Sequence, residues 1–305
     1  MTEPSWFDSA LADPISRSVA LAAALAAAPP GTVREQAIQE LGPRDAPLVG
    51  VTVMRREQPD DLVLALLTHP VAEVRAATAV QFRGEHGLHR SDLPSDWLPA
   101  WREAMLSATP HGYGEYELAS ALVELAAEDP TTVEEWYLRQ FEGASGSSAW
   151  QVLGHELHRP LRHLPQTNRL SLLRRLQGKV WTAGLFAEMA AGDAEFVAEA
   201  VDQGVVTKTQ ALHALEDIDH ATFERIGPVL VDRGVPPLAV AESLDQGYVG
   251  ALSQHYADLV TYCQDLASRD DPLLAAIGSA GTPMFQIERD QALAAEHQAR
   301  VTGTI

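Results

Sequence analysis

The chain has 305 residues, a formal net charge of −20, and 46% hydrophobic but only 6% aromatic residues. That is enough apolar mass for a sizeable core of Ala, Leu and Val, while the blanket of negative charge argues against a protein that binds nucleic acid over its whole surface. The single cysteine, Cys263, excludes internal disulfides and any CxxC zinc site, and its neighbours Tyr262 and Leu266 predict a buried, inert thiol. The longest apolar run, Val19–Ala28, is too short to span a bilayer, and the residues before it carry more acids than bases, the wrong sign for a signal peptide. The expectation is a cytoplasmic chain with no membrane partner.

Taken in order, the chain gives helix signals throughout. Asp13-Pro14 opens a first helix closed by Pro29-Pro30-Gly31, and Thr32-Val33-Arg34-Glu35 reads as a capping box opening a second, ended by Gly42-Pro43. Leu48–Arg56 is rich in valine, but a lone strand has nothing to pair with, so it is read as helix. Asp61–Thr68 and Val71–Phe82 follow as two apolar helices joined only by His69-Pro70, with the proline read as the first position of the second, where its missing N–H has no intrahelical partner to lose. The first of the two, Leu62–Leu67, is apolar all round. A hairpin that cannot bury its own surface must stack on copies of itself.

Arg83–Pro94 is a connection, Asp96–Ser107 and Glu115–Ala127 are helices, and Asp129-Pro130 caps another running to Phe141. Gly143–Ser148 (GASGSS) is the candidate hinge, followed by helical stretches at Ala149–His158 and Gln166–Gln177. The second half contains an internal echo: Val201-Asp202-Gln203-Gly204-Val205 returns as Val231-Asp232-Arg233-Gly234-Val235 thirty residues later, with a weaker copy at Leu244–Tyr248. Each glycine stands where a helix ends in left-handed geometry and the next apolar residue packs back on the last turn. Thr207 and Gln210 form a further capping box ahead of a helix to Ile218, Pro236–Leu244 is another helix, and a polar, Ala-rich helix at Gln286–Arg300 lies in a tail that begins at Thr282.

The Asp60–Phe82 segment resembles a HEAT repeat: a first helix, a tight turn with proline, then a second helix carrying Val74-Arg75 followed by Ala76-Ala77. The resemblance covers about 23 residues. In that family an Asp usually stands in the turn, six residues before the Arg, and ties neighbouring repeats together; this sequence has His69 there. The resemblance implies an all-α fold, a right-handed α-solenoid of stacked helical hairpins. The halves would be 1–142 and 149–281, with 282–305 as a helical tail.

Charge is distributed unevenly. Between Leu157 and Ala187 stand Arg159, Arg162, Arg169, Arg174, Arg175 and Lys179 with no Asp or Glu, while Glu103–Leu138 has eight acids and no Lys or Arg. On the Arg169–Gln177 helix, Leu172, Leu173 and Leu176 form an inner stripe with Arg174 and Arg175 on the far side. Outward arginines with Trp181 nearby suit a phosphate, an acidic peptide or a nucleic-acid strand, and they equally suit neutralisation by the chain's own acidic neighbours. Histidines cluster at Glu85-His86-x-x-His89, at His155-Glu156-Leu157-His158 and at His163, but without the HExxH spacing, and adjacent arginines oppose a cation. No phosphate loop or nucleophile elbow occurs. The sequence therefore points to a non-enzymatic protein-interaction scaffold, with no metal or cofactor expected. Two further readings stay open: a nucleic-acid-binding protein, such as a HEAT-like DNA glycosylase using the basic belt, and a regulatory or immunity-type protein that masks a basic partner.

Overall fold

The computed structural model describes residues 6–13, 16–27, 31–82, 88–109, 115–142, 153, 155–177, 182–216, 218–246 and 250–302. Among these every regular element is helical and no strand occurs, so the chain is all-α. It divides into two compact units, Met1–Leu172 and Leu173–Ile305.

The first unit contains α1 (Trp6–Ala12), α2 (Arg17–Ala27), α3 (Thr32–Gln39), α4 (Ala46–Met54), α5 (Asp61–Leu67), α6 (Ala72–Ala79), α7 (Leu98–Leu106), α8 (Glu115–Glu128), α9 (Pro130–Gln140) and α10 (Arg159–His163). The helix α11 (Gln166–Leu176) spans the division between the units. Helices pack on those one or two places along the chain: α2 on α1, α3 and α4, α6 on α4, α5 and α7, α9 on α7 and α8. The two apolar helices α5 and α6 are covered as their composition requires, with Leu62, Val63, Leu66, Val74, Ala76 and Ala77 all buried.

Several local expectations shift by a residue or more. Pro70 lies in the turn and Val71 is the N-cap of α6, because the first intrahelical bond runs from Arg75 N–H to Val71 O (3.2 Å). The capping box at Thr32 does not form: Glu35 N–H bonds Gly31 O (3.0 Å), which makes Gly31 the N-cap and draws Thr32 into the helix. The valine-rich segment is helical as α4. Trp6–Ala12 forms a helix that the sequence patterning did not flag, and Asp13 caps the start of α2, accepting from Ser16 N–H (3.1 Å). Asp129 caps α9 through Thr132, and Asp60 caps α5 through Leu62 and Val63.

Long side chains bind the layers of this unit, and their recipients are main-chain oxygens near helix C-termini, where the regular i to i+4 bonding runs out and a carbonyl has acceptor capacity to spare. His69, 3% exposed, sets Nε2 2.9 Å from Ile38 O in the last turn of α3 while its Nδ1 accepts from Val71 N–H (3.1 Å). That pair of contacts fixes the Nε2–H tautomer. Arg75 Nη1 in turn donates to His69 O (2.7 Å), so the His–Pro turn is held on both sides. The same kind of bond runs from Arg56 Nη2 to Leu25 O (3.0 Å), from Trp101 Nε1 to Ala79 O (3.2 Å) and from Trp136 Nε1 to Ala108 O (2.9 Å). A half-buried ion pair, Arg17–Asp45, joins α2 to the turn before α4 at 2.6 Å, with Gly42 N–H also donating to the carboxylate (2.8 Å). Burial alone would raise the Asp45 carboxyl, but the Arg17 and Gly42 hydrogen bonds and the arginine's charge outweigh it and hold the group below its ordinary value.

The second unit contains α12 (Thr182–Ala190), α13 (Ala194–Asp202), α14 (Lys208–Ala211), α15 (His220–Asp232), α16 (Pro237–Glu242), α17 (Leu252–Ala267) and α18 (Pro272–Thr302). Gly204 (φ 64°) and Gly234 (φ 77°) are left-handed, as the repeated pentapeptide predicts. In both copies the following valine N–H reaches back over the helix end, Val205 to Ala200 O (2.9 Å) and Val235 to Leu230 O (3.0 Å), and both valines are buried. Gly247 of the weaker copy lies outside the described residues. The Thr207–Gln210 capping box forms in both directions, though α14 gives way after four residues to a 3-10 turn, Leu212–Leu215. Arg233 Nε repeats the bond to a main-chain oxygen at Ala198 O (3.3 Å).

The chain does not break into a tail at Thr282. α18 runs through that position as one helix, with α15, α16 and α17 packed on it, and Phe285 and Ala292 are buried. At Gly278 a Cβ would lie 2.3 Å from Ala267 N and Cys263 O, so only glycine lets the backbones of α17 and α18 approach this closely. The far end is tied as well: Glu296 caps the start of α17, accepting from Ser253 N–H (3.0 Å) and Oγ (2.8 Å). Cys263 is fully buried between these helices, and burial pushes its thiol up to about 11.

Candidate functional site

The arginines singled out from sequence do not share one environment. Arg159, Arg162 and Arg169 belong to the first unit, Arg174 and Arg175 to the second, and Lys179 and Trp181 lie outside the described residues, as do the Gly143–Ser148 hinge and His86. Arg159 pairs with Glu156 (3.4 Å) and lies over the exposed ring of Tyr116, 5.9 Å from its centroid. Arg162 is exposed beside His163, whose imidazole is held below its ordinary value by desolvation and then by the charges of Arg162 and Arg159. Arg169 is only 7% exposed, so it belongs to the packed interior rather than to an open face. Glu134 brings a buried carboxylate to the same helix, accepting from Ser171 Oγ (2.6 Å) and Asn168 Nδ2 (3.3 Å). On the C-terminal half of α11, Leu172, Leu173 and Leu176 are buried while Arg174 and Arg175 are exposed, with Arg174 donating to the side-chain oxygen of Gln203.

His155–His158 form a 3-10 turn rather than the end of a helix, and His158 is buried. Among the described residues no cluster of His, Cys, Asp and Glu has the composition of a metal site. No helix among them is long and apolar enough to cross a membrane.

The structure brings together a second group of residues that sequence patterning passed over. In the second unit a cavity of about 260 Å³ is lined by Leu215, Phe223, Leu244 and Leu259, with His220, His255, Asp258 and Ser243 about it. Adjoining it, and sharing Ser243 and Gln246, is a shallower cavity of about 340 Å³ lined by Thr209, Leu212, His213, Glu216 and Asp245. The Gln246 amide is pinned between Leu215 O and Ser243 O (2.6 Å for the latter), which fixes the divide between the two. Asp245 organises the mouth: one oxygen meets His255 Nε2 (3.0 Å) and the other accepts from Tyr256 OH (3.1 Å). His213 pairs with Glu216 in the same manner. His220 stacks face to face on Tyr262, centroids 3.9 Å apart, and so presents a flat wall; Tyr262 OH donates to Glu224 Oε1 (3.4 Å). Burial first, then the charge and hydrogen bond of Glu224, push the Tyr262 phenol above its ordinary range.

Only one local signal pointed here: His213-x-x-Glu216 has the spacing that places two side chains on one face of a helical turn. Asp245 stands in the weaker copy of the glycine pentapeptide, where it reads as a turn residue, and His255 and Asp258 lie a helix away. Compared with models of known protein families, with curated proteins and with solved structures, the chain gives no significant match.

Proposed function

We propose that this protein is a non-enzymatic scaffold that binds another protein, built in each unit from stacked helical hairpins of the HEAT type in a right-handed α-solenoid. What supports the reading is the packing of the first unit. Its helices touch those one and two places along the chain, and the layers are joined by side chains reaching main-chain oxygens 22–31 residues away, from Trp101 to Ala79 and from His69 to Ile38. Stacks of this kind present long, side-chain-rich faces to a partner. The acidic balance of the chain favours a basic partner over nucleic acid. Exposed Arg174 and Arg175 offer a separate point of contact for an acidic segment of the same partner.

The test is cross-linking of the full chain in native extract, read by mass spectrometry, beside a salt-resolved titration with double-stranded DNA. The expected result is a reproducible protein cross-link and no DNA binding at physiological salt. DNA binding that weakens steeply with salt, without a protein cross-link, would overturn the proposal in favour of nucleic-acid recognition.

A further inference from the structure

We propose that the cavity lined by α15, α17 and the Ser243–Gln246 turn receives an arginine or lysine side chain of a basic partner; this rests on the scaffold reading above. Three features of the cavity fit such a side chain. Its floor, Leu215, Phe223 and Leu259, is buried and apolar, which suits the methylene stem. Its rim carries Asp258, and the adjoining cavity carries Asp245 and Glu216, which suit the cationic head. Among the described residues no Lys or Arg lines either cavity.

Size and access agree with this. A volume of about 260 Å³ lies just below the range of small-molecule pockets and matches one side chain better than a helix or a nucleotide. Asp258 is exposed and bonded to Gln254 of its own helix (2.9 Å), and the Asp245 side chain retains 41% exposure while holding His255. A cation entering over the Leu259 floor therefore meets a carboxylate that is already oriented, and the His220 ring, backed by Tyr262, offers the planar surface on which a guanidinium stacks.

The probe is N-acetyl-arginine methylamide, titrated into the full chain with methyl-labelled leucines, and its control is the citrulline analogue, which has the same shape without the charge. Saturable shifts at Leu215, Leu244 and Leu259 with the arginine probe, absent with citrulline, are the expected result. Asp258→Asn should weaken the response about tenfold, as loss of one charge-assisted hydrogen bond does, and Asp245→Asn provides a second variant. Equal response to citrulline, unmoved leucine methyls, or an unaltered response in Asp258→Asn would each overturn the proposal. The same variant is carried into the cross-linking experiment. If the unaltered chain captures no protein, the scaffold reading fails whatever the probe does. If Asp258→Asn captures the partner as well as the unaltered chain does, the cavity proposal alone fails.

Discussion

Replacing His69 by alanine removes two hydrogen bonds in one step at a side chain that is 3% exposed: Val71 N–H loses its acceptor, and Ile38 O keeps only the Leu41 N–H (3.2 Å). A main-chain N–H stripped of its acceptor costs about 1–3 kcal/mol and the hydrogen bond lost at Ile38 O about 1 kcal/mol, so the two together cost about 3 kcal/mol. The substitution also opens a small void, which adds to the loss. Asparagine keeps an acceptor near the Nδ1 position and loses only the reach to Ile38, so it should cost roughly half as much. With a urea dependence of about 2 kcal/mol per molar, the alanine variant should unfold at a midpoint lower by about 1.5 M and the asparagine variant by about 0.7 M. Hydrogen exchange at the Val71 amide provides a local readout, and it should accelerate in the alanine variant and stay protected in the asparagine one. A midpoint within about 0.2 M of the unaltered chain, or an asparagine variant as unstable as the alanine one, would refute the view that this histidine ties one layer to the next.

Gly204→Val should cost about 1–2 kcal/mol in a thermal melt, because nothing lies within 4 Å of the added Cβ and the loss is that of left-handed backbone alone. Gly278→Ala should be more damaging, since its Cβ would meet main-chain atoms at 2.3 Å and α18 has to move away from α17; an unchanged melt would refute the close crossing. Asp45 is held below its ordinary value, so its contribution is present above the unfolded value of about 4 and disappears as the pH falls through the lower folded one. The unaltered chain should therefore lose stability more steeply below about pH 4 than Asp45→Asn, and parallel acid titrations of the two would count against the Arg17 pairing. Reversing Arg174 and Arg175 to Glu should abolish partner capture at nearly unchanged stability, whereas a marked drop in melting temperature would mean that the two arginines are part of the chain's own packing.

How much of this was legible depended on the reach of each interaction. The caps at Asp129 and Thr207 and the left-handed glycines at 204 and 234 act within five residues, so a single sequence displays them. The Thr32 capping box failed because a helix that begins one residue earlier, at Gly31, forms its first bond without any side-chain oxygen. Bonds such as Trp136 to Ala108 and Arg56 to Leu25 span 28 and 31 residues, and nothing in a tryptophan or an arginine announces which main-chain oxygen it will meet. The cavity of the second unit was obscured for the same reason. Its lining comes from four separate segments, Thr209–Glu216, Ile218–Phe223, Ser243–Gln246 and His255–Leu259, which only the fold brings together. The arginines read as one belt because they are close along the chain, while burial separates Arg169 from Arg174 and Arg175 on the same helix.

The ties between layers have a one-sided chemistry. The giver must be a His, an Arg or a Trp of the right length, but the receiver is a carbonyl, which every amino acid carries, and the residues that supply it are Ile38, Leu25, Ala79, Ala108 and Ala198. Selection on such a joint falls on the donor alone, and the receiving position can drift through any residue that its own packing tolerates.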